Sequence, residues 1–181
     1  RSFRLLGDRV AAQRNTNEGF EVIVKEDRTR VGTPYYFFQD RNGMFFHETV
    51  ERINPYWEAD FGKVTFSYAT PSGMPYQNRD VYVFGELSDY GKLPEAKMQW
   101  DERRNLYVTE MKLKQGYYDY VFAMRDPETG IFQTDLTEGN TWETENSYMV
   151  LVYYRELGGR YDQLLGFRII NSQFNRPQQI R

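Results

Sequence analysis

The chain contains no cysteine, so disulfides, thiolate metal sites and cysteine nucleophiles are all excluded at once. It has one histidine, His47, which any Ser-His-Asp arrangement would have to use, and there is no Gly-x-Ser-x-Gly elbow to partner it. No charge of one sign dominates: 23 basic residues face 26 acidic ones, for a net charge of −3, with no basic stripe able to neutralise phosphates. Nucleic acid is therefore not an expected partner. Long apolar runs are missing too. The longest, at residues 148–154, has seven residues, far short of the roughly 20 a membrane-spanning helix needs.

What remains is a chain rich in Tyr and Phe (15 and 13 residues) among its 181. A single body of this length buries about 70% of its extended-chain surface, which is enough for a core without cross-links. Short aromatic and β-branched runs recur between turn residues. Candidate strands fall at 20–25, 63–69, 81–85, 96–100, 106–113, 117–124, 131–136 and 148–154. Val64, Phe66 and Tyr68 alternate onto one face of the second. Asn42-Gly43, between YYFFQDR and MFFHETV, predicts a tight hairpin. Residues 5–17 read as strand plus loop, and Asn54-Pro55 marks a module boundary near 52–60.

The segment 117–124 stands apart because seven of its eight residues are hydrophobic and Asp119 is the exception. A period of two cannot assign it an inside and an outside, so it requires cover on both faces, from this chain or from another protein. Seven strands from residue 63 onward, at sandwich-like spacing, predict an all-β, immunoglobulin-like sandwich over residues 59–172. An amino-terminal strand and hairpin module over 1–58 precedes it, and a frayed tail over 173–181 follows. Residues 162–172, with Leu164, Leu165, Phe167, Ile169 and Ile170, are expected to pack back as a final strand.

Little chemistry assembles. Asp126-Pro127-Glu128-Thr129-Gly130 lacks the alternating oxygen ligands and closing glutamate of a calcium loop and reads as a hairpin turn. Glu138, Glu143 and Glu145 are carboxylates without an evident opposing pair. Trp57, Trp100 and Trp142, with Tyr90 and Tyr117, offer a stacking platform for sugar rings, against the plainer reading that aromatics at this density fill the core. No catalysis, cofactor or metal is expected.

The runs VYVFGELSDYG and LKQGYYDYVFA resemble early-set immunoglobulin-like modules related to glycogen- and starch-binding domains, over about residues 63–155. The resemblance implies sugar contacts at a turn Trp, a strand Lys and an Asn; here Tyr90 stands at the first position, Val121 at the second and Asn146 at the third. Both replacements predict poor affinity for α-glucans. A carbohydrate-binding module, of the kind that serves as an accessory domain of a glycan-active enzyme, is thus the alternative function. A longer likeness covers nearly the whole chain. RSFRLL, the hairpin at Asn42-Gly43, DVYVFGELSDYG, LKQGYYDY, WETENSYMVLVYYRELGGRYDQLLG and the terminal INS together resemble the second half of the type IX secretion system plug protein family. That resemblance implies a non-catalytic, periplasmic, outer-membrane-associated protein that occludes the periplasmic side of a β-barrel translocon. It would not span the membrane itself, and its signal peptide is expected upstream of Arg1; the sequence leaves the oligomeric state open, with a monomer favoured. Tyr90, Arg155, Arg160 and Tyr161, within the matching strings, are the candidate partner-binding residues.

Overall fold

The computed structural model describes all residues except 5–6, 18, 35–42, 50–53, 55–56, 58, 142–145 and 173–181. The chain forms two compact units, Arg1–Asn140 and Thr141–Arg181.

The first unit is an all-β sandwich, as its strand spacing predicts. One sheet contains β2 (Val10–Thr16), β3 (Gly19–Val24), β6 (Phe61–Ala69), β9 (Leu106–Lys114) and β8 (Gln99–Asp101) in that spatial order, with β4 (Asp27–Arg28) also paired to β6. The opposing strands are β12 (Phe132–Gln133), β11 (Val121–Arg125) and β7 (Asp80–Phe84). In chain order, β6, β9 and β8 take the B-E-D places of an immunoglobulin-like sandwich, and β12, β11 and β7 take its G-F-C places. Alternation explains the first sheet. Val64, Phe66 and Tyr68 of β6 are buried, and they pair across to Met111, Thr109 and Tyr107 of β9, so one face of each strand builds the core.

The run 117–124 is two strands rather than one. β10 (Gly116–Asp119) ends before Tyr120, and β11 begins after it. β10 pairs with β1 (Ser2–Arg4) on one side and β5 (Phe45–His47) on the other, whereas β11 pairs with β12 and β7. Where β7 stops at Phe84, β5 therefore takes over as neighbour, and β1 does the same beyond β12. At the junction, the Tyr120 amide donates to Arg1 O at 2.8 Å and the Asp119 amide to Met44 O at 3.1 Å. Gly116 permits this approach, because a Cβ there would lie 2.4 Å from the Phe46 carbonyl oxygen.

Amino-terminal strands are thus woven into both sheets, with β3 and β4 lying parallel to β6. The expected division near residue 58 does not match this pairing, because a strand of 1–58 flanks each half of the sandwich. Aromatics lock the weave. Phe3 of β1 stacks on Tyr118 at 5.3 Å and meets Phe66 edge-on at 5.5 Å, and Tyr120 meets Phe66 at 5.1 Å. Two other expected strands are shorter than predicted. A 3-10 turn (Pro94–Ala96) occupies the start of the 96–100 run, since Pro94 suits its first position, and only Phe132–Gln133 of the 131–136 run is extended. The hairpin at Asn42-Gly43 has its first arm outside the described residues.

The second unit is a two-stranded antiparallel ribbon of β13 (Ser147–Tyr154) and β14 (Gln163–Asn171). All eight residues of β13 are exposed. The sequence reading expects both segments as strands of the sandwich; among the described residues they are hydrogen-bonded only to each other. Apolarity announces a need for cover, and it does not identify the covering surface. Among the described residues, no helix is long and apolar enough to cross a membrane.

Candidate functional site

Tyr90 sits on a tight turn after β7. Gly85 leads into a 3-10 turn (Glu86–Ser88), and then Asp89 (φ 46°) and Tyr90 (φ 52°) both adopt the left-handed conformation, which is uncommon for a tyrosine. Local hydrogen bonds hold the turn. The Tyr90 amide donates to Gly85 O at 2.8 Å, the Ser88 hydroxyl to the same carbonyl at 3.0 Å, and the Gly91 amide to Ser88 Oγ at 3.1 Å. The Tyr90 ring meets Phe84 edge-on at 5.7 Å.

Beside it lies a cleft of about 230 Å³ lined by Arg1, Gly43, Phe84, Gly85, Tyr90, Asp119, Tyr120 and Val121. Tyr90 and Val121, 31 positions apart in sequence, therefore share one wall system. The cleft forms where β7 yields to β5 alongside the β10–β11 junction. Gly85 keeps that junction tight, since a Cβ there would stand 2.9 Å from Asp119 O.

Two cleft residues, Arg1 and Tyr120, belong to a buried ionic cluster. Arg1 Nη1 bonds Asp27 Oδ1 at 2.9 Å, its Nε bonds Glu138 Oε1 at 2.9 Å, and its Nη2 donates to Arg28 O at 2.8 Å. Arg9 also pairs with Asp27, and the Tyr120 hydroxyl donates to Asp27 Oδ2 at 2.8 Å. Glu138 Oε1 accepts the Phe122 amide at 3.0 Å, and the Arg1 guanidinium lies 5.1 Å over the Phe122 ring. Burial, and then the Asp27 charge, push the Tyr120 hydroxyl well above the ordinary tyrosine range. These pairings tie the amino-terminal segment to β11, although Arg9 Nε and Glu138 Oε2 are buried without a hydrogen-bond partner, Glu138 Oε2 having only the Arg30 guanidinium at 4.0 Å. Sequence gave no sign of the cluster, because its members span residues 1 to 138.

The other singled-out residues have ordinary surroundings. His47 is a half-buried residue of β5 against Phe45 at 5.3 Å; burial, and then Lys114, hold its pKa below the usual histidine value. Asp126 caps the β11–β12 turn, its Oδ1 accepting the Glu128 and Thr129 amides at 2.9 and 3.1 Å. Trp100 packs on Tyr107 at 5.0 Å, Tyr117 stacks on Phe46, and Trp57 is exposed; Trp142, Glu143 and Glu145 lie outside the described residues. Among the described residues, no group of three or more His, Asp or Glu side chains is placed to hold a metal.

The ribbon holds the remaining candidates. Arg155 follows β13 and grips Asp162 with two bonds, Nε to Oδ1 at 2.8 Å and Nη2 to Oδ2 at 3.0 Å; Arg160 and Tyr161 are exposed in the same connection. Register sorts the strands into two faces. Tyr148, Val150, Val152 and Tyr154 oppose Ile170, Arg168, Gly166 and Gln163, giving a mixed face. Met149, Leu151 and Tyr153 oppose Ile169, Phe167 and Leu164, giving a face whose paired residues between Ser147–Asn171 and the tip are all apolar. The register shift after Val152 leaves Leu165 as a bulge and keeps Leu164 on that apolar face. Tyr90 belongs to the sandwich unit, whereas Arg155, Arg160 and Tyr161 belong to the ribbon unit.

No protein-family model matches the chain, and no curated protein matches it. Among solved structures, the chain is similar to the crystal structure of a hypothetical protein from Parabacteroides merdae ATCC 43184, with 30% sequence identity and a TM-score of 0.81. The match covers 95% of this chain and 44% of that one, so this chain spans less than half the length of the protein it resembles.

Proposed function

We propose that this chain is a non-catalytic periplasmic plug protein that occludes the periplasmic side of the type IX secretion translocon. The ordered likeness of its sequence strings to that family points to this role. The structural observation that carries it is the ribbon, which exposes large apolar side chains on both faces, as a protein-contacting element does and an isolated water-facing hairpin does not. Its mixed face and tip combine Tyr148, Tyr154 and Tyr161 with Arg155, Arg160 and Arg168, the aromatic and arginine composition of a reversible interface. A rigid sandwich blocks a channel sterically and needs no reaction.

The test is genetic and biochemical. The intact protein should co-purify with the outer-membrane translocon barrel, and its deletion should admit a normally excluded large solute across the outer membrane. Unchanged permeability with the translocon present and idle would count against the plug.

A second reading, carbohydrate binding, draws on the meeting of Tyr90 and Val121 at one cleft. The Tyr90 ring offers an aromatic surface, but Val121 supplies no cation to a sugar hydroxyl. Titration with a maltooligosaccharide is expected to give no saturable binding. Saturable binding abolished by Tyr90→Ala, with the fold retained, would place this reading above the plug.

A further inference from the structure

We infer that the apolar face of the ribbon, Met149, Leu151, Tyr153, Leu164, Phe167 and Ile169, is covered by the same face of a second copy of this chain. The inference takes one of the two exposed faces that support the plug reading and leaves the mixed face, with its arginine, to a partner. These six side chains are between 43% and 68% exposed. A two-stranded ribbon is marginal in water and needs further strands or a second layer. Six residues of this size, about half exposed, present on the order of 600 Å² per copy, and two such faces together reach the roughly 1,200 Å² at which specific interfaces begin.

Composition favours self-association over the alternatives. Interfaces between identical, permanently associated chains are the most apolar class, whereas a reversible partner surface carries a polar rim and a mixed interior. Here one ribbon offers both kinds, and the uniformly apolar face is the one suited to permanent cover. Two ribbons packed face to face about 10 Å apart form a four-stranded, two-layer body. A two-fold axis makes the contact closed, so pairing stops at two copies. The mixed faces and the tips, with Arg160 and Tyr161, stay in solvent.

Sedimentation equilibrium of the full chain between about 1 and about 100 µM tests this, with circular dichroism confirming that each variant keeps its sandwich. A dimer is expected, weakened about 30-fold or more by Phe167→Asp and by Leu151→Asp, and unaffected by Val150→Asp on the other face. A monomer at all concentrations would overturn the inference. So would a dimer indifferent to Phe167→Asp, open-ended assembly through the ribbon edges, or a monomer whose ribbon becomes protected only when outer-membrane extract is added.

Discussion

Residues 117–124 and 148–154 carry the same sequence signal, a nearly unbroken apolar run rich in tyrosine, and they end in opposite surroundings. In the first, Tyr118, Tyr120, Phe122, Ala123 and Met124 are buried: β1, β5 and β7 pair along its edges, and Phe3, Phe66 and Tyr68 pack on its rings. In the second, every residue is exposed. A continuous apolar run reports that both faces of a strand require cover. It carries no information about which chain supplies that cover. For 117–124 the answer is internal and depends on the first residues of the sequence, folded back over a hundred positions away.

The sharpest way to break this comparison is to open the covered run. Phe122 is fully buried against Tyr68 at 4.8 Å and Tyr120 at 5.7 Å. Phe122→Ala should cost about 4 kcal/mol in denaturant unfolding of the sandwich. The matching truncation in the ribbon, Phe167→Ala, should change that same transition by about 0.5 kcal/mol or less. Comparable losses at both sites would mean that the two runs share one core.

Next in size is the clamp that holds the amino-terminal segment beside β11. Asp27→Asn leaves the Arg1 and Arg9 cations facing a neutral amide in a dry site, and it should destabilise the sandwich by about 3 kcal/mol in the same measurement. A shift under about 0.5 kcal/mol would show that the cluster is solvated and that the weave rests on aromatics alone.

A smaller effect should appear at alkaline pH. Burial is the leading cause that raises the pKa values of Tyr68, Tyr118 and Tyr120 above the ordinary 10.0. A raised folded pKa favours the neutral hydroxyl in the native state. Their contribution is therefore full below pH about 10 and is lost as pH climbs from there toward the folded values. Phenolate absorbance should show these three ionising together with unfolding, not before it.

Parts of this were legible in the residues. Val64, Phe66 and Tyr68 alternate in sequence and point into the core, and Asp126 to Gly130 reads and behaves as a turn. The break at Tyr120 was not legible, because a run apolar at every position but Asp119 has no period to interrupt. Nothing in the sequence singles out Asp27, and only the tertiary approach of Arg1, Arg9 and Tyr120 makes it a buried hub. The cleft escaped for a similar reason: Gly43, Gly85 and Asp119 meet only because β5 replaces β7 alongside one strand. Tyr90 was visible as a turn aromatic, but its left-handed backbone was not.

Amide hydrogen exchange on the intact chain, read at two concentrations, tests the contrast between the two runs most directly. β9 and β11 should exchange only through global unfolding and at the same rate whether dilute or concentrated. β13 and β14 should exchange fast when dilute and gain protection as concentration rises and copies associate. Protection of residues 147–154 equal to that of 121–125 in a dilute, demonstrably monomeric sample would contradict the account.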